Sequence, residues 1–185
     1  MVTLLWALIG FFSGALPFSV WVAKMALGKD IRHYGDGNPG AFNVFRAGGR
    51  GWGWLAILLD GLKGAIPVGL ANFWIGFEGW SLVWIAFAPV LGHAFSPFLR
   101  FRGGKALAVT FGIWTGLTLW VVPTILGILF AVFMYLFKKD VWAVMLGQAG
   151  LGVALFIMGA DWTWFAVWTG CTAIFVLKYL LVRSS

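Results

Sequence analysis

Two polar islands in this chain carry residue types that could do chemistry. The first, residues 30–50, reads D-I-R-H-Y-G-D-G-N-P-G-A-F-N-V-F-R-A-G-G-R. It places Arg32, Arg46 and Arg50 among Gly35, Gly37, Gly40, Gly48 and Gly49. Guanidinium groups bind phosphate in a bidentate fork. Glycines let backbone take positive φ and come close to a ligand, and successive N–H groups in such a turn can form a nest for an anion. The second island, residues 92–105, reads G-H-A-F-S-P-F-L-R-F-R-G-G-K and adds Arg100, Arg102 and Lys105 beside Gly103 and Gly104. Lys105 opens an apolar run, where unpaired backbone N–H groups favour an anion. The expected chemistry is therefore the holding of a phosphate. A further ionisable pair, Asp60 and Lys63, lies three residues apart inside an apolar run and shares a helix face. Its two readings are a functional site within the membrane and a structural ion pair.

Other chemistries are poorly supplied. Residues 35–40 formally match G-x-G-x-x-G, but a membrane helix precedes them where the dinucleotide fold needs a strand. The chain has two histidines and six acids, which argues against a metal-dependent hydrolase, and no metal site or cofactor is expected. His93 taken alone reads more readily as a packing residue than as a catalyst. Cys171 stands alone in an apolar run and offers neither a disulfide framework nor a metal site. The basic residues sit in short loops between apolar runs and form no nucleic-acid stripe.

The elements that must position these islands are membrane helices. The chain is 62% hydrophobic and 10% charged, with 13 Trp and a mean hydropathy of +0.94, beyond what a soluble domain exposes to water. Apolar runs cover about residues 3–27, 52–75, 81–99, 106–120, 122–137, 141–160 and 162–182. Gly14 and Pro17 interrupt the first run. It lacks a basic leader and a small-residue cleavage site, so it reads as a membrane helix. The stretch 106–137 is too long for one crossing and carries Pro123 in its middle, which splits it into two short helices. The expectation is an all-α integral membrane protein, one domain over residues 1–185. It has about seven transmembrane helices, two of them short, with the N-terminus outside and the C-terminus inside. That arrangement puts 12 of the 13 Lys and Arg on the cytoplasmic side and leaves Glu78 and Asp161 outside, as the positive-inside rule requires. Trp52, Trp80, Trp142 and Trp162 fall near run ends and suit the interfacial belt.

With these residues in place, the chain resembles the acyl-phosphate:glycerol-3-phosphate acyltransferases of bacterial membranes, the PlsY family. The family pattern runs G-S-x-P-x-G, then D-I-R-x-x-G-S-G-N-x-G-A-T-N-x-x-R, then D-x-x-K-G, then G-H-x-F-P-x-F-x-x-F-x-G-G-K-G. Here Gly14 to Phe18 stand for the first block. Asp30, Ile31, Arg32, Gly37, Asn38, Pro39, Gly40, Ala41, Asn43 and Arg46 follow. Asp60 to Gly64 supply the third block; Gly92, His93, Phe95, Phe101, Gly103, Gly104 and Lys105 supply the last. The blocks keep one order over about residues 14–110.

The resemblance implies a seven-helix fold in a bacterial-type plasma membrane, with the active site on the cytoplasmic side. It implies transfer of a fatty acyl group from acyl phosphate to the 1-hydroxyl of glycerol 3-phosphate, giving lysophosphatidic acid and phosphate, with no cofactor. By matched position, Arg46 and Lys105 would be the catalytic residues that hold substrate phosphate. Gly37, Asn38, Gly40 and Asn43 would shape the phosphate loop; Gly103, Gly104 and His93 would complete substrate binding. A substrate phosphate would serve as the base. Four departures stand out. Asp36 replaces a Ser, Phe42 a Thr and Ala106 the last Gly, and residues 178–183, K-Y-L-L-V-R, lack the His and Asn of the family's R-H-x-x-N-x-x-R-L. They leave two rivals: a relative, inactive or altered in substrate, that binds a phosphorylated lipid or metabolite, and a small organic-anion transporter.

Overall fold

The computed structural model describes residues 1–183, with side chains through Leu181. The Arg183 side chain and Ser184 and Ser185, which the charge pattern assigns to the inside, lie outside the described residues. All regular structure in the described residues is helical. Helix α1 (Val2–Ala15) and α2 (Phe18–Leu27) form the first apolar segment. A short 3-10 turn (Ile31–His33) and α3 (Ala41–Arg46) lie in the first polar island. Helix α4 (Arg50–Gly69) runs on into a π turn (Leu70–Ile75). Then come α5 (Gly79–Ala94), α6 (Leu107–Thr118), α7 (Val121–Phe137), α8 (Asp140–Ile157) and α9 (Trp162–Arg183).

Five of these segments, Val2–Leu27, Arg50–Ile75, Gly79–Leu99, Asp140–Ile157 and Trp162–Leu181, are long and apolar enough to cross a membrane. Helices α6 and α7 are apolar but shorter. At 12 and 17 residues they reach about 18 and 26 Å, against a hydrocarbon core of about 30 Å. Large apolar side chains such as Leu4, Trp54, Ile128, Phe156 and Leu180 point outward and give the helices a lipid-compatible surface.

Pro17 breaks the first segment where the sequence places the interruption. Leu16 takes the extended conformation that a following proline favours, and two carbonyls lose their helical partners. Both are satisfied from elsewhere. Ser96 Oγ donates to Ala15 O at 2.6 Å, and Lys63 Nζ donates to Leu16 O at 2.7 Å. Lys63 Nζ also lies 2.6 Å from Asp60 Oδ1, while Ser19 Oγ donates to Asp60 Oδ2. Asp60 and Lys63 thus clamp the broken α1–α2 segment to α4, and the structural reading of that pair fits its contacts.

Glycines set the tightest helix crossings. A Cβ on Gly112 of α6 would sit 1.9 Å from the Gly61 carbonyl of α4, and one on Gly92 of α5 would sit 2.0 Å from the Phe11 carbonyl of α1. Small residues bring backbones together this way inside membranes.

The stretch 106–137 divides, as its length requires, but four residues before Pro123. Leu119 has φ 54° and ends α6, whereas Pro123 sits in the first turn of α7, where its missing N–H costs little. Phe111 and Phe130 then stack edge-to-face across the α6–α7 hairpin at 5.6 Å. A second hairpin turns at Lys138 and Lys139, with Phe130 against Gly147 and Leu129 against Gly150. The two reversals bring residues 138–140 to the end of the bundle that holds both polar islands. At the opposite end Trp80 and Trp162 meet at 4.5 Å, close in sequence to Glu78 and Asp161.

Candidate active site

The two islands meet at Asn38 and Lys105. Asn38 Oδ1 accepts the Lys105 backbone N–H at 3.0 Å. This fixes Lys105 two residues ahead of α6, which starts at Leu107. The close approach depends on Gly103 and Gly104. A Cβ on Gly103 would collide with the His93 carbonyl at 1.9 Å, and one on Gly104 would lie 2.5 Å from His93 Nε2. Gly104 N–H donates to His93 O at 3.2 Å. The space beside these glycines is taken by α5 rather than left for a ligand.

The first loop is held from within. Asn43 Nδ2 donates to Asn38 O at 2.9 Å and to Asp36 Oδ1 at 3.0 Å, and Arg46 donates to Asn43 Oδ1 at 3.0 Å. Gly35 and Gly37 take φ of 59° and 71°. At Gly35 the space a Cβ needs is filled by the Arg46 guanidinium. The expected anion nest takes a different form. The N–H groups of Gly37 and Gly40 donate to Tyr34 O and Asn38 O, and that of Asn38 donates to the Asp36 carboxylate at 3.3 Å. The loop holds an anion of its own.

Lys105 is the centre of the charge arrangement. Its Nζ lies 2.8 Å from Asp36 Oδ2 and 3.1 Å from Asp140 Oδ2, and 4.0 Å from the centre of the Tyr179 ring. Tyr179 Oη donates to the same Asp140 oxygen at 3.2 Å. Arg46 approaches Asp36 at 3.6 Å, with more than half of its side chain exposed. Burial alone would raise the Asp36 carboxyl; the hydrogen bonds and charge of Lys105, with those from Asn43 and Asn38, outweigh it and hold the group below its ordinary value. Asp36 is therefore a carboxylate at neutral pH.

These groups form the mouth of a pocket of about 640 Å³ between the first island and the α7–α8 hairpin. Its polar end carries Asp36, Asn38, Arg46, Lys105, Lys138, Lys139 and Asp140. Its walls are apolar, with Phe42, Leu107, Phe130, Met134 and Val144. A small recess of about 50 Å³ lies behind it, lined by Asn38, Gly40, Asp60, His93 and Lys105 among others. Of the residues singled out in the sequence, Arg46, Lys105 and Asn38 face the larger pocket. Gly40 and His93 face the recess; Gly37, Asn43, Gly103 and Gly104 support the loop without lining either. Among the described residues no group of three or more His, Cys, Asp or Glu could hold a metal ion. A phosphorylated amphiphile suits such a cavity: cations for its headgroup, apolar walls for its chain.

A family model described as glycerol-3-phosphate acyltransferase matches residues 4–183. The chain belongs to this family. Glycerol-3-phosphate acyltransferase 1 of Thermotoga maritima is 44% identical over 120 residues, covering 64% of this chain and 59% of the relative. The Thermosipho melanesiensis glycerol-3-phosphate acyltransferase is 37% identical over 158 residues, covering 75% and 77%. The stretch matched in the Desulfovibrio desulfuricans relative is 53% of its length, so the similarity to several relatives spans little more than half of each. The crystal structure of PlsY (YgiH), an integral membrane glycerol 3-phosphate acyltransferase, in its glycerol 3-phosphate form superposes with a TM-score of 0.90. Identity there is 27%, with coverage of 100% of this chain and 91% of that one. Its lysophosphatidic acid form gives a TM-score of 0.86 at 26% identity, covering 97% and 88%.

Set beside the glycerol-3-phosphate acyltransferase pattern, the departures acquire a geometry. The Asp36 charge is balanced by Lys105 and Arg46. Ala106 takes φ 64°, the conformation for which the pattern's Gly is suited. Phe42 turns its ring to the pocket wall. Sequence reasoning missed Asp140, Lys138, Lys139 and Tyr179 at the mouth. The signal for the first three was their placement on the same side as both islands by charge alone. Tyr179 gave none, since one tyrosine in an apolar helix is ordinarily core.

Proposed function

We propose that this protein transfers a fatty acyl group from acyl phosphate to the 1-hydroxyl of glycerol 3-phosphate, forming lysophosphatidic acid and phosphate for phospholipid synthesis. The observation that carries the reading is the pocket itself, in a chain of this family: Arg46 and Lys105 at its polar end, continuous with apolar walls that can take an acyl chain. The acceptor hydroxyl oxygen attacks the acyl carbonyl carbon. The bond between the acyl carbon and the bridging phosphate oxygen breaks, the phosphate leaves with that electron pair, and a phosphate oxygen takes the hydroxyl proton. The chain's own task is positioning and charge stabilisation. Lys105 and Arg46 hold phosphate oxygens. Asn38, Asn43, Gly37, Gly40, Gly103 and Gly104 fix the two cations relative to each other, and His93 backs the junction.

In this reading the chain is a single domain crossing a bacterial-type plasma membrane seven times, α6 and α7 being the two short crossings. The N-terminus is outside and the pocket mouth opens to the cytoplasm. The gathering of Arg46, Lys105, Lys138 and Lys139 at one end supports that orientation. One observation favours a second reading, a relative that binds a phosphorylated lipid without turnover: both carboxylates near Lys105 already occupy it.

The test is turnover by protein purified in lipid and supplied with acyl phosphate and glycerol 3-phosphate, with Lys105→Ala in parallel. Release of lysophosphatidic acid and phosphate that Lys105→Ala abolishes is the expected result. Folded protein that binds lysophosphatidic acid and never turns over would establish the second reading.

A further inference from the structure

Along α7 the lining of the pocket ends at one large side chain. Counted along α7 from Lys138 at the mouth, the lining residues are Met134, Ala131 and Phe130. Phe130 is the deepest, about 12 Å from Lys138 at the helical rise. Its ring is seated in a recess of small residues. A Cβ on Gly147 of α8 would lie 2.3 Å from the ring, so the ring rests on bare helix backbone. Its other side meets Phe111 of α6 edge-to-face, and Phe111 in turn covers Gly127 of α7. The next residue along α8, Gln148, is fully buried and does not line the pocket.

We infer that Phe130 sets the acyl-chain length this protein accepts, by filling the Gly147 recess and ending the apolar wall there. The inference rests on the acyl reading of the pocket given above and deepens it. The occupant is the single saturated chain of the substrate, because the walls that lead to Phe130 begin at the cations that hold its headgroup. Methylenes up to the ring gain apolar cover; those beyond it meet the ring or turn out past Phe42 into lipid. Each methylene that gains cover is worth about 4-fold in affinity or in relative kcat/KM.

The experiment uses the full chain in lipid nanodiscs, with acyl phosphates and lysophosphatidates of graded saturated chain length. It reads kcat/KM for the donors, and separately the affinity for the lysophosphatidates by competition, which needs no turnover. Phe130→Ala is expected to move both length profiles to longer chains, with about 4-fold gain per added methylene until the new floor is reached. Phe130→Trp is expected to move them to shorter chains. Loss of fold lowers all lengths together and leaves the profile's shape unchanged, so opposite shifts from one position cannot come from instability. Profiles that match wild type in both variants and both measurements would overturn the inference and mean that the chain leaves sideways. A wild type that binds lysophosphatidates but turns over no acyl phosphate would remove the acyltransferase reading while the binding profiles still decide the role of Phe130.

Discussion

Asp36 opposes the phosphate that Lys105 and Arg46 are proposed to hold, and the Asp36→Ser variant measures by how much. Lys105 and Arg46 face Asp36 and Asp140, so the four side chains sum to zero charge before any ligand arrives. A phosphate oxygen that reaches Lys105 must take a hydrogen bond now given to one of the carboxylates, and it then sits about 5 Å from the other. Unit charges at that distance repel by about 3 kcal/mol at an effective dielectric of about 20 and by about 0.8 in bulk water. The Asp36 side chain is 28% exposed, which places the site between these limits. About 1–2 kcal/mol is a fair figure, or roughly 5–30-fold in affinity. Asp36→Ser should therefore lower KM for glycerol 3-phosphate roughly 5–30-fold at saturating acyl phosphate. Asp36→Asn, which keeps an acceptor for the Asn38 and Asn43 bonds, should act in the same direction, and the gain should shrink with added salt. A KM that rises or stays fixed in both variants, with the fold intact, would refute the reasoning. Asp36 would then be a group that receives substrate, for instance the acceptor hydroxyl.

Other expectations follow from the contacts. Arg46→Lys should raise KM about 10-fold or more with the fold intact, because a point charge cannot reproduce the fork that donates to Asn43 and reaches the pocket; kinetics at fixed donor concentration check this. Lys63→Met leaves Asp60 buried and uncompensated and should cost about 3–5 kcal/mol, read as lost thermal stability in detergent, with Asp60→Leu in the same chain restoring part of it. Gly112→Ala forces α4 and α6 apart and should cost about 1–3 kcal/mol, again read by thermal unfolding. The Asp36 carboxyl is held below its unfolded value, so its contribution to stability is present above about pH 4 and is lost as pH falls through the folded value. Asp36→Asn should flatten the acid limb of a stability–pH curve, lowering stability at neutral pH and converging with wild type in acid.

The helices were legible in the sequence because apolar length is a direct consequence of hydrocarbon thickness, and Pro17 announced the break in the first segment. The place of the α6–α7 turn was less legible. Pro123 was the visible mark, yet proline is at home in a first helical turn, and the turn was made by Leu119, a residue with no sequence signature for positive φ. At the site, Arg46, Lys105 and Asn38 could be found because charge is rare in this chain and gathers with glycine in two polar stretches that stand out against the apolar background. Gly103 and Gly104 stood out for the same reason, but their purpose was hidden. They admit the α5 backbone at His93, a contact between segments that spacing alone does not encode.

What the four matched motif blocks do not show is that the site draws on the second half of the chain; only the charge pattern pointed there. The four motif blocks end near residue 110, whereas Asp140 and Tyr179 complete the surroundings of Lys105, and α7 and α8 build the walls. The two reversals at Leu119 and Lys138 explain why. An even number of short apolar helices returns the chain to the end from which α6 departed, so residues 138–140 must come back beside the residues that open α6. A single long helix over 106–137 would have carried Asp140 to the opposite end, about 48 Å away at the helical rise, and left Lys105 with Asp36 alone. The split that charge topology demands is thus the same feature that closes the pocket, and a substitution that straightens the α6–α7 turn should remove the site without touching any residue in it.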